Sequence, residues 1–292
     1  MKHIKKLIII CLSISFVLCV FNEQRIYAKP SKTGFCVTFL DVGAADAALV
    51  TCDNHYMMID CGSDSMTDGK SKQRIDYYLQ QENISYFDYI ICTHADDDHY
   101  GGFVSILKNR KFGKVYCSTK GNTKSTSYTK FKNIIKKKHK RIKVPKVGTH
   151  FKLGSAKVEV LAVNTDTKTT NDASIVLMIT YGNNKFLFTG DAESKTEKIL
   201  LGKNIKCDVL KVAHHGSKTS SHSYFLRKAK PKYMIVSVSE KKVNNDGISD
   251  DLLDYSDMYH VPVYYTYVEG TILCKSNGKK ITLKNLDGKK LN

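Results

Sequence analysis

The sequence predicts an α/β protein folded as one domain. Short runs rich in β-branched and aromatic residues alternate with stretches of helical periodicity over most of the 292 residues. No Pro- or Gly-rich linker divides them, and a chain that is 42% hydrophobic is long enough to bury one large core. A third observation is local. The stretch Thr93-His94-Ala95-Asp96-Asp97-Asp98-His99-Tyr100-Gly101-Gly102 sets five metal-capable side chains between a strand pattern and a helix pattern.

In chain order, Cys36 to Leu40 and Ala47 to Thr51 read as paired strands around a turn at Gly43, and His55 to Ile59 as the next strand. Lys70 to Gln81 carries Ile75, Tyr78 and Leu79 at helical spacing. Tyr86 to Cys92 is a buried strand, Phe103 to Leu107 opens a helix, and Lys114 to Cys117 is a short strand. Lys124 to Lys140 reads as a basic amphipathic helix with Tyr128, Phe131, Ile134 and Ile135 on one face. Strands follow at Val158 to Val163, Ser174 to Tyr181 and Lys185 to Phe188, then a helix at Thr196 to Leu201 and a strand at Val209 to Val212. Tyr233 to Val238 is a strand and Asp250 to Tyr259 a helix. Val261 to Thr266 and Thr271 to Cys274 close the pattern as strands.

The chemistry concentrates at three places. On the loop after Cys92, backbone curvature aims His94, Asp96, Asp98 and His99 toward one point, and imidazoles mixed with carboxylates suit zinc, iron or manganese. Asp191 follows an apolar strand at a Gly-Asp turn, where the chain leaves a sheet. His214 and His215 end the strand Asp208 to Val212. One histidine in such a place is often structural; two in succession indicate a site.

The first of these stretches resembles the H-x-[HD]-x-D-H signature of the metallo-β-lactamase superfamily, and more narrowly the H-x-D-x-D-H form of ComEC-like hydrolases. Further segments match in the family's order. They are Phe39-Leu40-Asp41-Val42-Gly43-Ala44-Ala45-Asp46-Ala47, Met58-Ile59-Asp60-Cys61-Gly62, Asn171-Asp172-Ala173-Ser174-Ile175-Val176-Leu177, Phe188-Thr189-Gly190-Asp191-Ala192-Glu193, and Asp208 through Ser217. The resemblance implies a four-layer αββα sandwich: two sheets face to face, helices outside, and a site for one or two divalent ions, zinc or manganese, at one sheet edge. It implies His94 and Asp96 on a first ion, Asp98 and His99 on a second, and Asp191 bridging both. One of His214 and His215 is expected on the second ion, His214 by preference, with His215 free to shuttle protons, so that Asp98 and His215 are the candidate catalytic residues. Asp96 stands where many members have His, which leans the site toward manganese. Asp46 and Asp60 are expected to support ligands rather than bind metal. The family's remaining histidine ligand has no match here, with Asn171 or Asp172 near its place, and a family glycine is replaced by Ala45. An enzyme of this kind uses its metal to lower the pKa of water from about 15.7 to near 7.

Charge points to the partner. The formal net charge is +18, and no acidic residue occurs between Tyr100 and Val158. Lys108, Arg110, Lys111, Lys114, Lys120, Lys124, Lys130 and Lys132 lead into Lys136-Lys137-Lys138-His139-Lys140-Arg141 and Lys143. Such a stretch beside the metal loop favours a polyanion such as DNA, an acidic wall polymer or a membrane surface. Lys136, Lys137 and Lys138, with Asn171, Ser217 and Lys218, are the candidate substrate-binding residues. Tyr116 and Tyr128 are interleaved, but fit a buried helix face better than base stacking.

Residues 1–28 read as a secretory signal peptide: a basic start, an apolar run from Leu7 to Phe21, and Ala28 before Lys29. The expected mature domain is 29–292, exported, with no second apolar run long enough to span a membrane. Cys36, Cys52, Cys61, Cys92, Cys117, Cys207 and Cys274 lack C-x-x-C spacing and read as buried small hydrophobes, with one or two disulfides as the alternative. The expected function is an exported metal-dependent hydrolase of phosphodiesters, in nucleic acid first. Wall-polymer phosphodiesters, lactams or lactones are the enzymatic alternatives, and a non-catalytic basic binding module is the alternative from another class.

Overall fold

The computed structural model describes residues 34–63, 70–119, 126–167 and 169–292. The expected signal segment, Lys120 and Lys124 lie outside the described residues. The strands in chain order are β1 (Phe35–Phe39), β2 (Ala47–Cys52), β3 (His55–Cys61), β4 (Tyr86–Cys92), β5 (Lys111–Cys117), β6 (Ile142–Lys143), β7 (His150–Leu153), β8 (Ala156–Ala162), β9 (Val176–Tyr181), β10 (Asn184–Phe188), β11 (Val209–Lys211), β12 (Tyr233–Val236), β13 (Val263–Tyr265), β14 (Ile272–Ser276) and β15 (Ile281–Asn285). The helices are α1 (Lys70–Gln81), α2 (Asp97–Tyr100), α3 (Phe103–Ile106), α4 (Thr126–Lys137), α5 (Ser194–Leu201), α6 (Ser223–Ala229), α7 (Glu240–Asp246), α8 (Asp250–Tyr259) and α9 (Thr266–Glu269).

The strands form two sheets, in the orders β15-β14-β1-β2-β3-β4-β5-β6 and β13-β12-β11-β10-β9-β8-β7. Each has an antiparallel part built from hairpins and a parallel part, β3 to β6 in the first and β10 to β13 in the second. Parallel neighbours need a crossover, and helices supply it: α1 between β3 and β4, α2 and α3 between β4 and β5, α5 between β10 and β11, α6 between β11 and β12. Those crossovers leave the carboxyl ends of β4, β10 and β11 free to carry loops, where α/β sheets commonly hold ligands.

Three buried clusters fix the layers. Phe35, Val37 and Phe39 meet Val158, Leu177, Phe186 and Phe188 between the sheets. Leu49, Met58, Ile90 and Val115, on the first sheet's outer face, pack under Leu79, Phe103, Tyr128 and Phe131 from the helices. On the other side Leu187, Leu210 and Met234 meet Leu200, Phe225 and Leu252. The architecture is the αββα sandwich. Strands buried on both faces explain why β1 to β3 read as apolar runs rather than as alternation. All seven cysteines from Cys36 to Cys274 are buried and unpaired, so the disulfide alternative is not realised.

Several boundaries differ from expectation. The helix expected from Phe103 is α3, an additional turn, α2, lies within the metal loop itself, and α4 ends at Lys137 rather than Lys140. The expected strand Val261 to Thr266 is β13 followed by the turn of α9.

Candidate metal centre

The loop after β4 is pinned at both ends by one carboxylate. Asp60, at a positive φ of 54° near the end of β3, accepts the Thr93 N–H and hydroxyl, each at 2.7 Å, and holds His99 Nδ1 at 2.8 Å. The Asp46 N–H donates to the Asp98 carbonyl at 3.1 Å. Gly102 then crosses β3 so closely that a Cβ there would be driven into the Cys61 carbonyl oxygen. Gly190, after β10, has φ +52°, and a Cβ on it would lie 2.9 Å from Ser174 Oγ and from Thr93. This turn delivers Asp191, whose N–H donates to Ser174 Oγ at 3.0 Å. After β11 the chain enters three successive positive-φ residues, His214 (50°), His215 (55°) and Gly216 (80°), with the His214 N–H on the Gly190 carbonyl at 3.2 Å. Two consecutive non-glycine residues in this region are strained by about 1–3 kcal/mol each, and such strain gathers at functional sites.

Four imidazoles converge on the Asp191 carboxylate. His99 Nε2 lies 3.3 Å from Oδ1; His94, His214 and His215 place Nε2 at 3.9, 3.8 and 3.8 Å from Oδ2. Asp98 Oδ2 is 3.2 Å from His215 Nε2 and 3.8 Å from His99 Nε2. Asp96 Oδ2 is 3.5 Å from His94 Nε2. Asp98, His99, Asp191 and His215 form a compact quartet with donor atoms within 4.8 Å of one another. His94, His99, Asp191 and His215 are buried, whereas the side chains of Asp96 and Asp98 are over a third exposed and form the open side.

The ring nitrogens facing away from Asp191 are each held. His94 Nδ1 meets Ser174 Oγ at 3.3 Å, His99 Nδ1 meets Asp60, and His215 Nδ1 donates to the Ser237 carbonyl at 2.8 Å with Asp46 at 3.4 Å. His214 Nδ1 meets Thr219 Oγ1 at 3.1 Å, with Glu193 Oε1 at 3.6 Å. Holding one ring nitrogen turns the other toward a metal. Buried His94 Nε2, His99 Nε2 and Asp191 Oδ1 make no hydrogen bond, and they face the same space. Buried polar atoms are rarely left unpaired, so orphans of this donor type fit a divalent cation.

The electrostatics agree. Burial works against charge on His215, yet Asp191 and Asp46 outweigh it and lift its pKa to about 10. His99 is also raised, the Asp191 and Asp60 carboxylates overcoming its burial. Burial would raise Asp191, but His99, His215 and His94 hold it well below the usual carboxylate range. Asp46, buried as well, is held low by Lys211 above all, whose Nζ lies 2.8 Å away and is itself buried. His214 is lowered by burial.

The remaining candidates divide. Asn171 stands at the mouth, its Nδ2 donating to Glu193 Oε1 at 3.3 Å and lying 3.5 Å from His214 Nε2. Asp172 turns away, accepting the Glu193 and Thr196 N–H groups at the start of α5. Ser217 bonds Thr219, and Lys218 is exposed on the same turn. Lys136 and Lys137 are exposed at the end of α4, but Lys138 donates to the Lys108 and Arg110 carbonyls and is a structural tie. Tyr128 is buried against Tyr100 and Phe131. Of the paired histidines, His215 is buried within the quartet, and His214 is partly exposed with its Nε2 also 3.8 Å from Asp191 Oδ2. Sequence reasoning assigned no part to Ser174, Glu193 or Lys211. A lysine inside the apolar run Val209 to Ala213 was the legible signal for the last.

Residues 40–240 match the sequence model of the Metallo-beta-lactamase superfamily. Among curated proteins the chain is 32% identical over 212 residues to Recombination protein 2 of Haemophilus influenzae, covering 73% of this chain and 25% of that protein. It is 29% identical over 247 residues to ComE operon protein 3 of Bacillus subtilis (79% and 31%) and 28% identical over 224 residues to Competence protein ComA of Neisseria gonorrhoeae (76% and 29%). The chain thus spans between a quarter and a third of the length of these relatives. Among solved structures it resembles a mutant of the CmlA beta-hydroxylase (TM-score 0.54, 13% identity, 85% of this chain and 55% of that one). It also resembles the metallo-beta-lactamase fold protein YhfI from Bacillus subtilis (TM-score 0.51, 12% identity, 79% and 96%). At such identities these two likenesses concern the fold alone.

Proposed function

We propose that this chain, which belongs to the metallo-beta-lactamase superfamily and has ComEC-like competence proteins among its relatives, is an exported metal-dependent phosphodiesterase acting on nucleic acid. The observation that carries the reading is the convergence of four imidazole Nε2 atoms on the buried Asp191 carboxylate, with Asp96 and Asp98 on the open side. Asp98, His99, Asp191 and His215 would hold one divalent ion, and His94 and Asp96, beside the same Asp191 carboxylate, are the residues that would hold a second. Manganese suits this carboxylate-rich set better than zinc alone would require. When bound, such ions acidify a water toward neutrality and take up charge on the attacked phosphoryl group.

Around that chemistry each residue has a task. Asp191, which all four imidazoles face, would serve both positions. Asp60 fixes the ring of His99, and the Ser237 carbonyl with Asp46 fixes that of His215, so both present Nε2. His215 is therefore assigned to holding metal rather than to carrying protons, because its Nδ1 is engaged and its ring is buried. Asp98, over a third exposed and 3.2 Å from His215, borders the open side together with Asp96. Asn171, Ser217 and Lys218 border the mouth.

The substrate reading rests on charge and on kinship. The apolar face of α4 packs on Tyr100 and Phe103, next to the metal loop, so the exposed Lys136 and Lys137 belong to the helix adjoining the site. Cations suffice for sequence-independent contact with a phosphate backbone. The names of the relatives concern recombination and competence, which favours DNA over a lactam or lactone. Export rests on the N-terminal pattern of basic start, apolar run and Ala28. Among the described residues no helix is long and apolar enough to cross a membrane.

The test is hydrolysis of single- and double-stranded DNA with manganese or zinc, beside a chromogenic phosphodiester and a β-lactam. Metal-dependent cleavage of DNA, lost in Asp98→Asn, supports the reading. Turnover of the β-lactam without DNA cleavage overturns the substrate assignment, and no turnover of any of them, with no metal uptake, overturns the enzyme.

A further inference from the structure

We infer that a pocket between the two sheets, at the end of the sandwich opposite the metal centre, takes one base and its phosphate from a single-stranded nucleic acid. This rests on the nucleic-acid reading above and adds to it the strandedness and the least length of the substrate.

Both sheets build the pocket. Tyr86 is the first residue of β4, Lys114 lies on β5, and Lys152 comes from β7 across the gap. Its volume is about 400 Å³, within the roughly 300–1,000 Å³ of small-ligand sites.

The lining joins an aromatic face to cations. Tyr86 is 44% exposed. A Cβ on Gly113 would be driven into the Asp88 carbonyl oxygen and would lie 3.0 Å from the Tyr86 hydroxyl, so glycine is what lets β4 and its tyrosine come this close to β5. Lys114 Nζ lies 5.7 Å from the centroid of the Tyr89 ring, which itself packs on Phe151 at 4.3 Å, and the ammonium is thereby held at the pocket. Lys114 and Lys152 are exposed, and among the described residues neither makes an ion pair. The acidic side chain in the lining, Asp88, is already engaged: Oδ1 meets His55 Nδ1 and Oδ2 accepts the Tyr56 N–H, each at 2.9 Å. The free charge is therefore positive. An accessible aromatic ring beside unpaired cations is the combination that binds single strands without regard to sequence. A duplex offers phosphates to such a site, but its bases are already stacked and paired.

The distance sets a length. β4 runs seven residues, from Tyr86 at this pocket to Cys92 at the metal loop, so at about 3.3 Å per residue its ends are about 20 Å apart. A strand advancing about 3.4 Å per nucleotide needs about six nucleotides to reach from one to the other. Lys143, exposed on the edge strand β6 and paired in register with Tyr116, lies along the way.

The experiment is fluorescence anisotropy with the full-length chain, treated with chelator so that binding is read without cleavage. The probes are a fluorescein-labelled oligothymidylate of twenty nucleotides, one of four, and a duplex of twenty base pairs. The proteins are the parent, Tyr86→Leu, and Lys114→Gln with Lys152→Gln, each checked for a parental circular dichroism spectrum. Tyr86→Leu should weaken the long single strand at least about fivefold, the lower end for loss of one stacked base, and should leave the duplex within about twofold. The double lysine variant should lower the salt slope on the long single strand by about 1.4, at about 0.7 per lost contact. The four-nucleotide probe, too short to reach both ends, should bind at least about tenfold more weakly than the long one. With bromodeoxyuridine in the long probe, ultraviolet crosslinking should mark the peptide that contains Tyr86. Binding of the long single strand by Tyr86→Leu within about twofold of the parent, or crosslinks confined to other segments, would overturn the inference. So would inorganic polyphosphate displacing the probe as well as unlabelled oligothymidylate does, since the surface would then read charge alone. Metal-dependent cleavage of DNA alongside either result would leave the nucleic-acid reading standing. A parent that binds neither single strand nor duplex would remove both.

Discussion

Replacing Gly190 by alanine is expected to damage both the fold and the site, by an amount the geometry sets. Gly190 has φ +52°, a region costing an ordinary residue about 1–2 kcal/mol. The added methyl would lie 2.9 Å from Ser174 Oγ and from Thr93 Cβ and Oγ1, closer than real Cβ contacts allow. Thr93 is a buried β-branched residue whose hydroxyl bonds Asp60, so it has little room to yield. Crowding of this kind adds about 1–3 kcal/mol. The sum is about 2–5 kcal/mol, read from urea unfolding of parent and variant. Gly202→Ala is the control: its φ is −76° and the nearest atom to a new Cβ is 3.7 Å away, so it should stay within about 0.5 kcal/mol of the parent. Gly190→Asn separates the two causes, since asparagine tolerates the backbone but keeps the crowding. Because Ser174 Oγ holds both the Asp191 N–H and His94 Nδ1, any Gly190→Ala protein that folds should also bind less manganese. A variant as stable as Gly202→Ala, with parental metal content, would refute the argument.

Asp191→Ala should abolish turnover and lower metal content while leaving most of the helical signal intact, as measured by DNA hydrolysis, metal analysis and circular dichroism. Lys136→Gln with Lys137→Gln should raise the apparent KM on long DNA and reduce its salt dependence, by about 0.9 in logarithmic slope per lost duplex contact or about 0.7 on single strands, with small-phosphodiester turnover unchanged. Chelator-treated protein should lose thermal stability as pH rises. His99 and His215 are raised in the fold, so their contribution is complete below the ordinary imidazole pKa of about 6.5 and is lost as pH rises, for His215 through about 10, whereas the metal-loaded protein, its imidazoles already deprotonated, should lack that decline. N-terminal sequencing of protein recovered outside the cytoplasmic membrane should begin near Lys29, and recovery of cytoplasmic protein that retains Met1 would contradict export.

Much of the fold is legible because the strands nearest the site are buried on two faces. Val37, Leu49, Val50, Met58 and Ile90 leave no doubt about where the sheet runs. Three of the elements missed have weak physical signals, although α6, which buries Phe225, Leu226 and Ala229, does not. β7 is mostly exposed or half-buried and carries Lys152 and His150; α7 buries no residue at all, so no apolar stripe marks it. β15 is short and alternates Ile281 and Leu283 with polar residues, within a lysine-rich tail that masks the pattern. At the site, the residue types pointed to a metal-capable cluster, but where the rings of His214 and His215 lie depends on two left-handed φ angles that residue types do not report. The basic stretch shows the same limit. Lys136 lies in the last turn of α4 and Lys138 just past its end, yet one is exposed and the other is spent on the carbonyls of Lys108 and Arg110.

The centre is rigid because its loops hold one another. The Asp46 N–H reaches the Asp98 carbonyl, the Ile175 N–H reaches the Thr93 carbonyl at 2.9 Å, and the His214 N–H reaches the Gly190 carbonyl. Each bond crosses from one loop to another, and Ser174 Oγ, which meets both the Asp191 N–H and His94 Nδ1, ties the loop after β10 to that after β4. Charge binds the set further. Asp46 sits behind His215 and against the Lys211 ammonium, and both members of that pair are buried. Removing one partner of a buried pair typically costs about 3–5 kcal/mol, because the other is left uncompensated. Lys211 therefore stabilises by keeping Asp46 ionised where it steers an imidazole, not by adding net attraction of its own. The left-handed backbone at Asp60, His214 and His215 is tolerated for the same reason: each lies where a cross-loop bond or a buried carboxylate fixes the only arrangement that satisfies its neighbours. Local strain and buried charge are thus concentrated at one sheet edge, while the three apolar clusters away from it supply the stability that lets that edge persist.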